Sequence, residues 1–177
     1  MRKRFEAFAL SLHPEKTRLI EFGRQAAANR EKRRLDKPET FNFLGFTFIC
    51  GKSRRGGFLV HRTTRRDRMR AKLKEVKEQL RQRRHQPIPE QGKWLRQVAM
   101  GHFAYYAVPT NSRALSAFRH YVTELWQRSL RRRSQRDGTT WDRMTKLADD
   151  WLPKRASFTH GRTNGLPLPT RGRSRMP

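Results

Sequence analysis

The sequence has 177 residues, with 42 Lys or Arg against 15 Asp or Glu and a formal net charge of +27. This length holds one domain or two small ones, and 11 Phe, 4 Trp and 3 Tyr exclude a wholly disordered basic tail. The charge leaves few partners other than a polyanion, and nucleic acid comes first. A membrane surface is the weaker alternative, because the sequence has no apolar run of 18 or more residues.

The cysteine content and the N-terminal residues bear on the compartment. Cys50 is the single cysteine, which excludes an internal disulfide framework and a cysteine-rich zinc site and fits a reducing cytoplasm. The opening MRKRFEAFALSLH has a short apolar run that contains Glu6 and lacks a small-residue cleavage site. We therefore predict no secretion signal and a cytoplasmic protein.

The N-terminal third is predicted to contain short elements. Residues 3–12 are predicted to form a helix that ends before Pro14. The alternation in TRLIEF, residues 17–22, predicts a strand, and residues 25–37 are predicted to be a loop or a weak helix.

The most apolar stretch is FNFLGFTFIC, residues 41–50. Its aromatic and β-branched residues predict a single strand with two apolar faces. The glycines of residues 51–57 predict a loop, after which residues 58–62 pair back as the second arm of a hairpin.

From Thr64 onward the apolar residues follow a helical period. Met69, Leu73, Val76 and Leu80 recur at steps of four, three and four, which predicts a helix over residues 64–84 that Thr64 caps. Three more helices are predicted, from Trp94 to before Pro109, from a cap at Asn111 or Ser112 to about Arg133, and from Trp141 to Trp151. The predicted bundle core contains Val98, Phe103, Phe118, Val122 and Trp126.

The predicted fold is therefore α+β and mainly α. Residues 1–62 supply strands and a hairpin, and residues 64–152 supply a bundle of three or four helices. The remaining residues, 153–177, contain prolines, glycines and basic residues without an acid, and this composition predicts a disordered tail.

The sequence offers little that suggests catalysis. Asp149 and Asp150 are the one pair of adjacent acids with the arrangement that binds Mg²⁺, but the helical stripe around them predicts a solvated helix end. The six histidines lack metal-ligand spacing, and no nucleophile elbow is present. We predict no catalytic residue, no metal site and no cofactor.

The basic surface is the stronger signal. Between Arg54 and Arg84 the sequence has thirteen Lys or Arg and three acids, and such a density predicts a phosphate-binding surface more than an incidentally charged, solvated one. Helical steps put five cations along one flank: Arg66, Arg70, Lys74, Lys77 and Arg81. Tyr105 or Tyr106 is a candidate for stacking on a base, although core packing is the favoured role of either.

Three stretches, in this order, resemble the C-terminal half of group II intron reverse transcriptase/maturases. The first is LHPEKTR, residues 12–18. The second is FLGFTF, residues 43–48, with the following Gly-Gly-Phe hairpin and MRAKL, residues 69–73. The third is GHFAYYAVP, residues 101–109, with LRRRSQ, residues 130–135. The resemblance covers most of residues 5–153.

The resemblance implies that LHPEKTR closes a palm domain, that the FLGF hairpin is a primer grip formed by Leu44, Gly45 and Phe46, and that the later helices form the RNA-clamping thumb, or maturase domain X. Gly45 would then lie where a sugar-phosphate backbone approaches closely. The residues predicted to bind RNA, from charge and from the resemblance together, are Lys16, Arg18, Arg54, Arg55, Arg65, Arg66, Arg70, Lys74, Lys77, Arg81, Tyr105, Arg119, Arg131, Arg132 and Arg133.

The sequence departs from the full family pattern. The fingers and the Tyr-x-Asp-Asp turn are expected before residue 1, and the paired Cys and His of the C-terminal HNH-type endonuclease are absent. The leading hypothesis is a maturase-specific domain that binds structured group II intron RNA and assists its folding and splicing. The alternatives are one half of a split RNA-directed DNA polymerase, completed by a separate chain with fingers and catalytic palm, and a non-functional intron remnant.

Overall fold

The computed structural model describes residues 17–133 and 138–154, with positions 4, 5, 7–9, 11 and 13. Within these residues the fold is mixed α+β and mainly α, as the sequence predicts. The helices are α1 (Arg24–Lys32), α2 (Arg66–Gln82), α3 (Ile88–Tyr106), α4 (Ser112–Arg131) and α5 (Trp141–Trp151), with a short 3-10 helix at Pro109–Asn111. The strands are β1 (Phe41–Phe43), β2 (Phe46–Lys52) and β3 (Phe58–Thr64).

The chain divides into two compact units. The smaller unit comprises Met1–Phe41 and Phe48–His61, and the larger unit comprises Asn42–Thr47 and Arg62–Pro177. Parts of the predicted helix at residues 3–12 and, beyond Lys154, the predicted tail lie outside the described residues.

The predicted strand at residues 17–22 is wrong, because this segment has no regular secondary structure. It is held by side chains instead of a strand ladder: Arg18 forms an ion pair with Glu39 at 2.9 Å, and the ring of Phe22 packs edge-on against Phe41 at 4.9 Å. The following polar segment forms α1, which buries Ala26.

The predicted single strand at residues 41–50 is also wrong, because a tight turn divides it into β1 and β2. Leu44 and Gly45 have φ values of 45° and 77°, the left-handed pair that a two-residue hairpin turn requires. Glycine adopts this conformation without steric cost, so Gly45 allows the reversal. Two adjoining strands therefore share the apolar residues.

The predicted hairpin, in which residues 58–62 pair back on the preceding strand, is confirmed by β2 and β3. The three strands form an antiparallel sheet in the order β1–β2–β3. In the turn between β2 and β3, the backbone N–H of Ser53 donates to the carbonyl of Gly57 at 2.7 Å, and that of Gly56 donates to the carbonyl of Ser53 at 3.0 Å.

The core of the larger unit is formed by α2, α3, α4 and α5. Of the five predicted core residues, Phe103, Phe118, Val122 and Trp126 are buried and Val98 is half-buried against them. Further fully buried apolar residues come from all four helices: Val76, Leu80, Leu95, Leu115 and Met144. Burying these side chains is the main stabilising contribution to the bundle.

One of the two predicted helix caps is wrong, because Thr64 ends β3 and does not cap α2. Asn111 is the N-cap residue of α4, as predicted, but its side chain makes no capping bond to that helix. The two residues bind each other instead: Asn111 Oδ1 accepts from the backbone N–H of Thr64 at 2.9 Å, and Asn111 Nδ2 donates to Thr64 Oγ1 at 2.8 Å. Buried polar atoms require such partners, so this pair fixes the end of β3 against the α3–α4 connection.

Helix α3 begins at Ile88, earlier than the predicted start at Trp94. Pro89 lies in its first turn, where a helix needs no N–H partner and tolerates proline. The prediction for α5, Trp141–Trp151, is confirmed, and Thr140 caps this helix by accepting from the backbone N–H of Arg143 at 3.4 Å.

Candidate nucleic-acid interface

A groove of about 350 Å³ lies between α2 and α4 in the larger unit. Its apolar floor includes Leu80 and Leu125, and Glu78 is the one acid among the described residues that line it. Six of the described cations line it: Lys74, Lys77 and Arg81 of α2, Arg84 just after α2, Arg128 of α4, and Arg132 just after α4. We call this set of residues the α2–α4 groove.

Helical spacing explains why these residues share one groove. Along α2 and the turn that follows it, the cations lie at steps of three, four and three from Lys74 to Arg84. At the end of α4 the lining residues Leu125, Arg128, Ser129 and Arg132 follow similar steps. Ser129 joins α4 to α2 across the groove, because its small buried side chain donates from Oγ to the carbonyl of Leu80 at 3.2 Å. The apolar stripe of each helix faces the core, so the cations emerge on both walls.

The groove has a large surplus of positive charge. Among the described residues, Arg128 pairs with Glu124, whereas Lys74, Lys77, Arg81, Arg84 and Arg132 form no ion pair. Closely placed cations without counter-charges repel one another, and a polyanion relieves that repulsion. No aromatic side chain from the described part of the chain lines the groove, so its described lining suits phosphates and offers no platform for stacking a base.

The end of α2 beside the groove is fixed by Gln91, a residue that sequence reasoning missed. Its buried amide Nε2 donates to the carbonyls of Arg83, Arg84 and Gln86 at 3.0, 3.2 and 3.1 Å, and its Oε1 accepts from the indole N–H of Trp126 at 2.9 Å. Four hydrogen bonds therefore tie α2, α3 and α4 together where Arg84 enters the groove. No local pattern marks a glutamine for this role.

The groove unites four of the predicted RNA-binding residues: Lys74, Lys77, Arg81 and Arg132. Arg84 and Arg128 also line it but were missing from the prediction. Arg84 continues the flank three residues after Arg81, and Arg128 lies one turn before Arg132, so the same spacing rule would have found both.

The other predicted cations of the larger unit lie outside the groove. Arg66, Arg70 and Arg131 are exposed, and Arg65 is paired with Asp67 at 2.6 Å. Arg133 Nη2 donates to the carbonyl of His85 at 3.5 Å. Of the remaining predicted cations, Arg18, Arg54 and Arg55 belong to the smaller unit, Arg119 contacts α5, and Lys16 lies outside the described residues.

The segment predicted to act as a primer grip is packed against two tyrosines. Tyr105 donates from its hydroxyl to the carbonyl of Leu44 at 2.9 Å, and its ring stacks on Phe46 at 6.0 Å. A Cβ on Gly45 would lie 2.8 Å from the hydroxyl of Tyr106. The hydroxyl of Tyr106 thus lies close to Gly45, the residue that the resemblance places beside a sugar-phosphate backbone. Burial raises the pKa of this phenol.

The acids and histidines make no catalytic constellation within the described residues. Asp149 and Asp150 are exposed on the last turn of α5, and Asp149 accepts from Arg119 Nη2 at 2.7 Å. His102 is buried and stacks on Phe118 at 3.7 Å, and burial lowers its pKa to about 4. The described residues contain no group of three or more His, Cys, Asp or Glu that could hold a metal ion.

Comparisons with known proteins identify no relative of the chain. No protein-family model matches the chain, and neither the curated proteins nor the solved structures contain a match. Among the described residues, no helix combines the length and the apolar character needed to cross a membrane.

Proposed function

We propose that the chain is an RNA-binding, maturase-specific thumb domain that uses the α2–α4 groove to hold structured group II intron RNA and assists the folding and splicing of that RNA. The observation that carries the proposal is the groove itself, which the described residues line with six cations, on or just after two helices, and with one acid. The resemblance of residues 12–18, 43–48 and 101–109 to maturases supplies the choice of RNA.

The groove binds through the phosphate backbone. Each cation that neutralises a phosphate releases a condensed counterion, so the affinity depends steeply on salt. The two walls belong to helices that share one core and are joined by the Ser129–Leu80 hydrogen bond, so the cations keep a fixed spacing. A fixed array recognises the shape of an RNA helix or junction and does not read its sequence. The domain stabilises folded RNA, and the intron supplies the chemistry.

Binding of the full chain to group II intron RNA, measured as a function of salt, tests the groove. We expect the wild-type affinity to fall about a thousandfold between 50 and 200 mM salt, as for six or more phosphate contacts. The double variant Lys77→Gln, Arg81→Gln should lower the salt slope by about two, because each neutralised phosphate contributes about 0.9.

A matched control is the double variant Arg96→Gln, Lys146→Gln, which removes the same charge from two exposed positions outside the groove. Its salt slope should remain close to that of the wild type. Equal slopes for the two double variants would reject the groove, since net charge alone would then explain binding.

Splicing of the same intron RNA at limiting Mg²⁺ tests the role beyond binding. The wild-type chain should accelerate splicing, and the groove variant should need a higher protein concentration for the same rate. Tight binding of intron RNA without any acceleration of splicing would contradict the maturase role but would still support RNA binding. Equal affinity for a DNA duplex of the same length would contradict the proposed preference for RNA.

A further inference from the structure

A second cavity, of about 390 Å³, lies between α4 and α5 in the larger unit. Its floor includes Phe103, Leu115 and Ala148. This volume lies within the range of small-molecule sites, which combine an apolar lining with a few polar groups. We call this cavity the α4–α5 pocket.

The polar groups of the pocket centre on Arg119. Its Nη2 donates to the carbonyl of Ala148 at 3.0 Å and to Asp149 Oδ1 at 2.7 Å, while its Nε is buried without a hydrogen-bond partner. A buried N–H without a partner is uncommon and costs stability. Asp149 and Lys154 also line the pocket, so a ligand would meet both a carboxylate acceptor and cationic donors.

Two aromatic residues line the same pocket. Trp141 is 41% exposed and His120 packs against it with ring centroids 5.3 Å apart. Trp141 is the first residue of α5, directly after the capping residue Thr140. An exposed indole on a fixed backbone is a suitable stacking surface for a base, a feature that the lining of the α2–α4 groove lacks.

The pocket and the groove use opposite faces of α4. Arg119 and Thr123 line the pocket, and nine residues later Arg128 and Arg132 line the groove. Nine residues correspond to about two and a half helical turns, which places the two sets half a turn apart around the axis. The two sites therefore offer separate surfaces for separate parts of one ligand.

We propose that the α4–α5 pocket binds an unpaired nucleobase, with stacking on Trp141 and hydrogen bonds to Arg119 and Asp149. The inference rests on the proposed RNA-binding function and deepens it, because it gives the domain one site for duplex phosphates and a second site for single-stranded RNA. Guanidinium and carboxylate groups together match the donors and acceptors on the edge of a base. The strongly basic chain favours a nucleotide over other planar ligands.

The test compares two probes, single-stranded octaadenylate and a fully paired RNA duplex, at 200 mM salt with the full chain. Trp141→Ala should weaken octaadenylate binding on the order of tenfold and change duplex binding less than twofold. Trp141→Phe, which keeps an aromatic surface, should recover most of the lost affinity. Octaadenylate should also shift the indole N–H resonance of Trp141 in the wild-type protein.

The matched control is Tyr121→Ala, because Tyr121, on α4, is also an exposed aromatic residue but does not line the pocket. Equal octaadenylate affinities of Trp141→Ala and Tyr121→Ala, or an unshifted Trp141 resonance, would overturn the pocket while leaving duplex binding in the groove intact. Failure of the wild-type chain to bind the duplex, with octaadenylate binding still dependent on Trp141, would instead overturn the proposed groove function.

Discussion

The two faces of α4 differ in how their charges are balanced. Toward α2, Arg132 forms no ion pair with a described acid and lies among further cations, whereas toward α5, Arg119 is bound to Asp149 and to a backbone carbonyl. Within the described residues, the first face has no aromatic lining side chain, and the second has Trp141 and His120. One helix thus separates a surface suited to phosphates from a surface suited to a base.

Substitution of Gln91 should give the largest change in stability, because this residue supports the groove face of α4. Gln91→Ala removes three part-buried hydrogen bonds to backbone carbonyls and the buried one from Trp126, whose indole N–H then loses its acceptor. We expect a loss of about 3 kcal/mol or more in the free energy of unfolding, measured by urea denaturation.

The control for this prediction is Gln97→Ala, an exchange on the exposed side of the same helix. It should change the free energy of unfolding by less than about 0.5 kcal/mol. Similar values for the two glutamine variants would contradict the role assigned to Gln91.

Low pH should destabilise the core that supports both faces of α4, because His102 stacks on Phe118 in that core. Burial, with a smaller effect of Lys72, lowers the pKa of His102 from 6.5 to about 4. The imidazole therefore binds a proton in the unfolded chain first as the pH falls. The contribution of neutral His102 to the free energy of unfolding is fully present above pH 6.5 and declines between pH 6.5 and 4. The expected loss is up to about 3 kcal/mol.

Denaturation of the wild type and of His102→Leu at pH 7 and at pH 4.5 measures this effect. The wild type should lose more stability than the variant over that interval, because leucine binds no proton. A pH dependence that is unchanged in His102→Leu would assign the acid sensitivity to other groups.

Arg119 should give the smallest effect, and one confined to the pocket face. Arg119→Gln removes the contacts to Ala148 and Asp149, and the exposure of Asp149 limits the expected cost to about 1 kcal/mol. Octaadenylate affinity should fall while duplex affinity stays constant. Arg113→Gln, at an exposed position of α4, is the control, and a parallel loss of duplex binding by Arg119→Gln would contradict the separation of the two faces.

The helices show how far periodicity reaches. The bounds of α5, Trp141–Trp151, follow from its apolar stripe, its cap and the Leu-Pro that succeeds it. Spacing also brought Lys74, Lys77 and Arg81 onto one flank of α2. These features depend on residues close in sequence, so local patterns predict them.

The strands show where local patterns fail. TRLIEF alternates like a strand but has no ladder partner, and FNFLGFTFIC has uniform β propensity although Leu44 and Gly45 reverse the chain. Strand formation depends on pairing and packing with distant residues. The packing of Tyr105 and Tyr106 against this turn joins residues about sixty positions apart, and no local pattern contains that contact.

The amino-acid order alone established the positive charge, the mainly helical composition and the cationic flank of α2, because each of these is a sum over residues or a repeat along one helix. The pairing of that flank with Arg128 and Arg132, the fixing of its end by Gln91 and the pocket beside Trp141 depended on how α2, α3, α4 and α5 pack. Each joins side chains from different helices, and only burial of the shared core sets the distances between them.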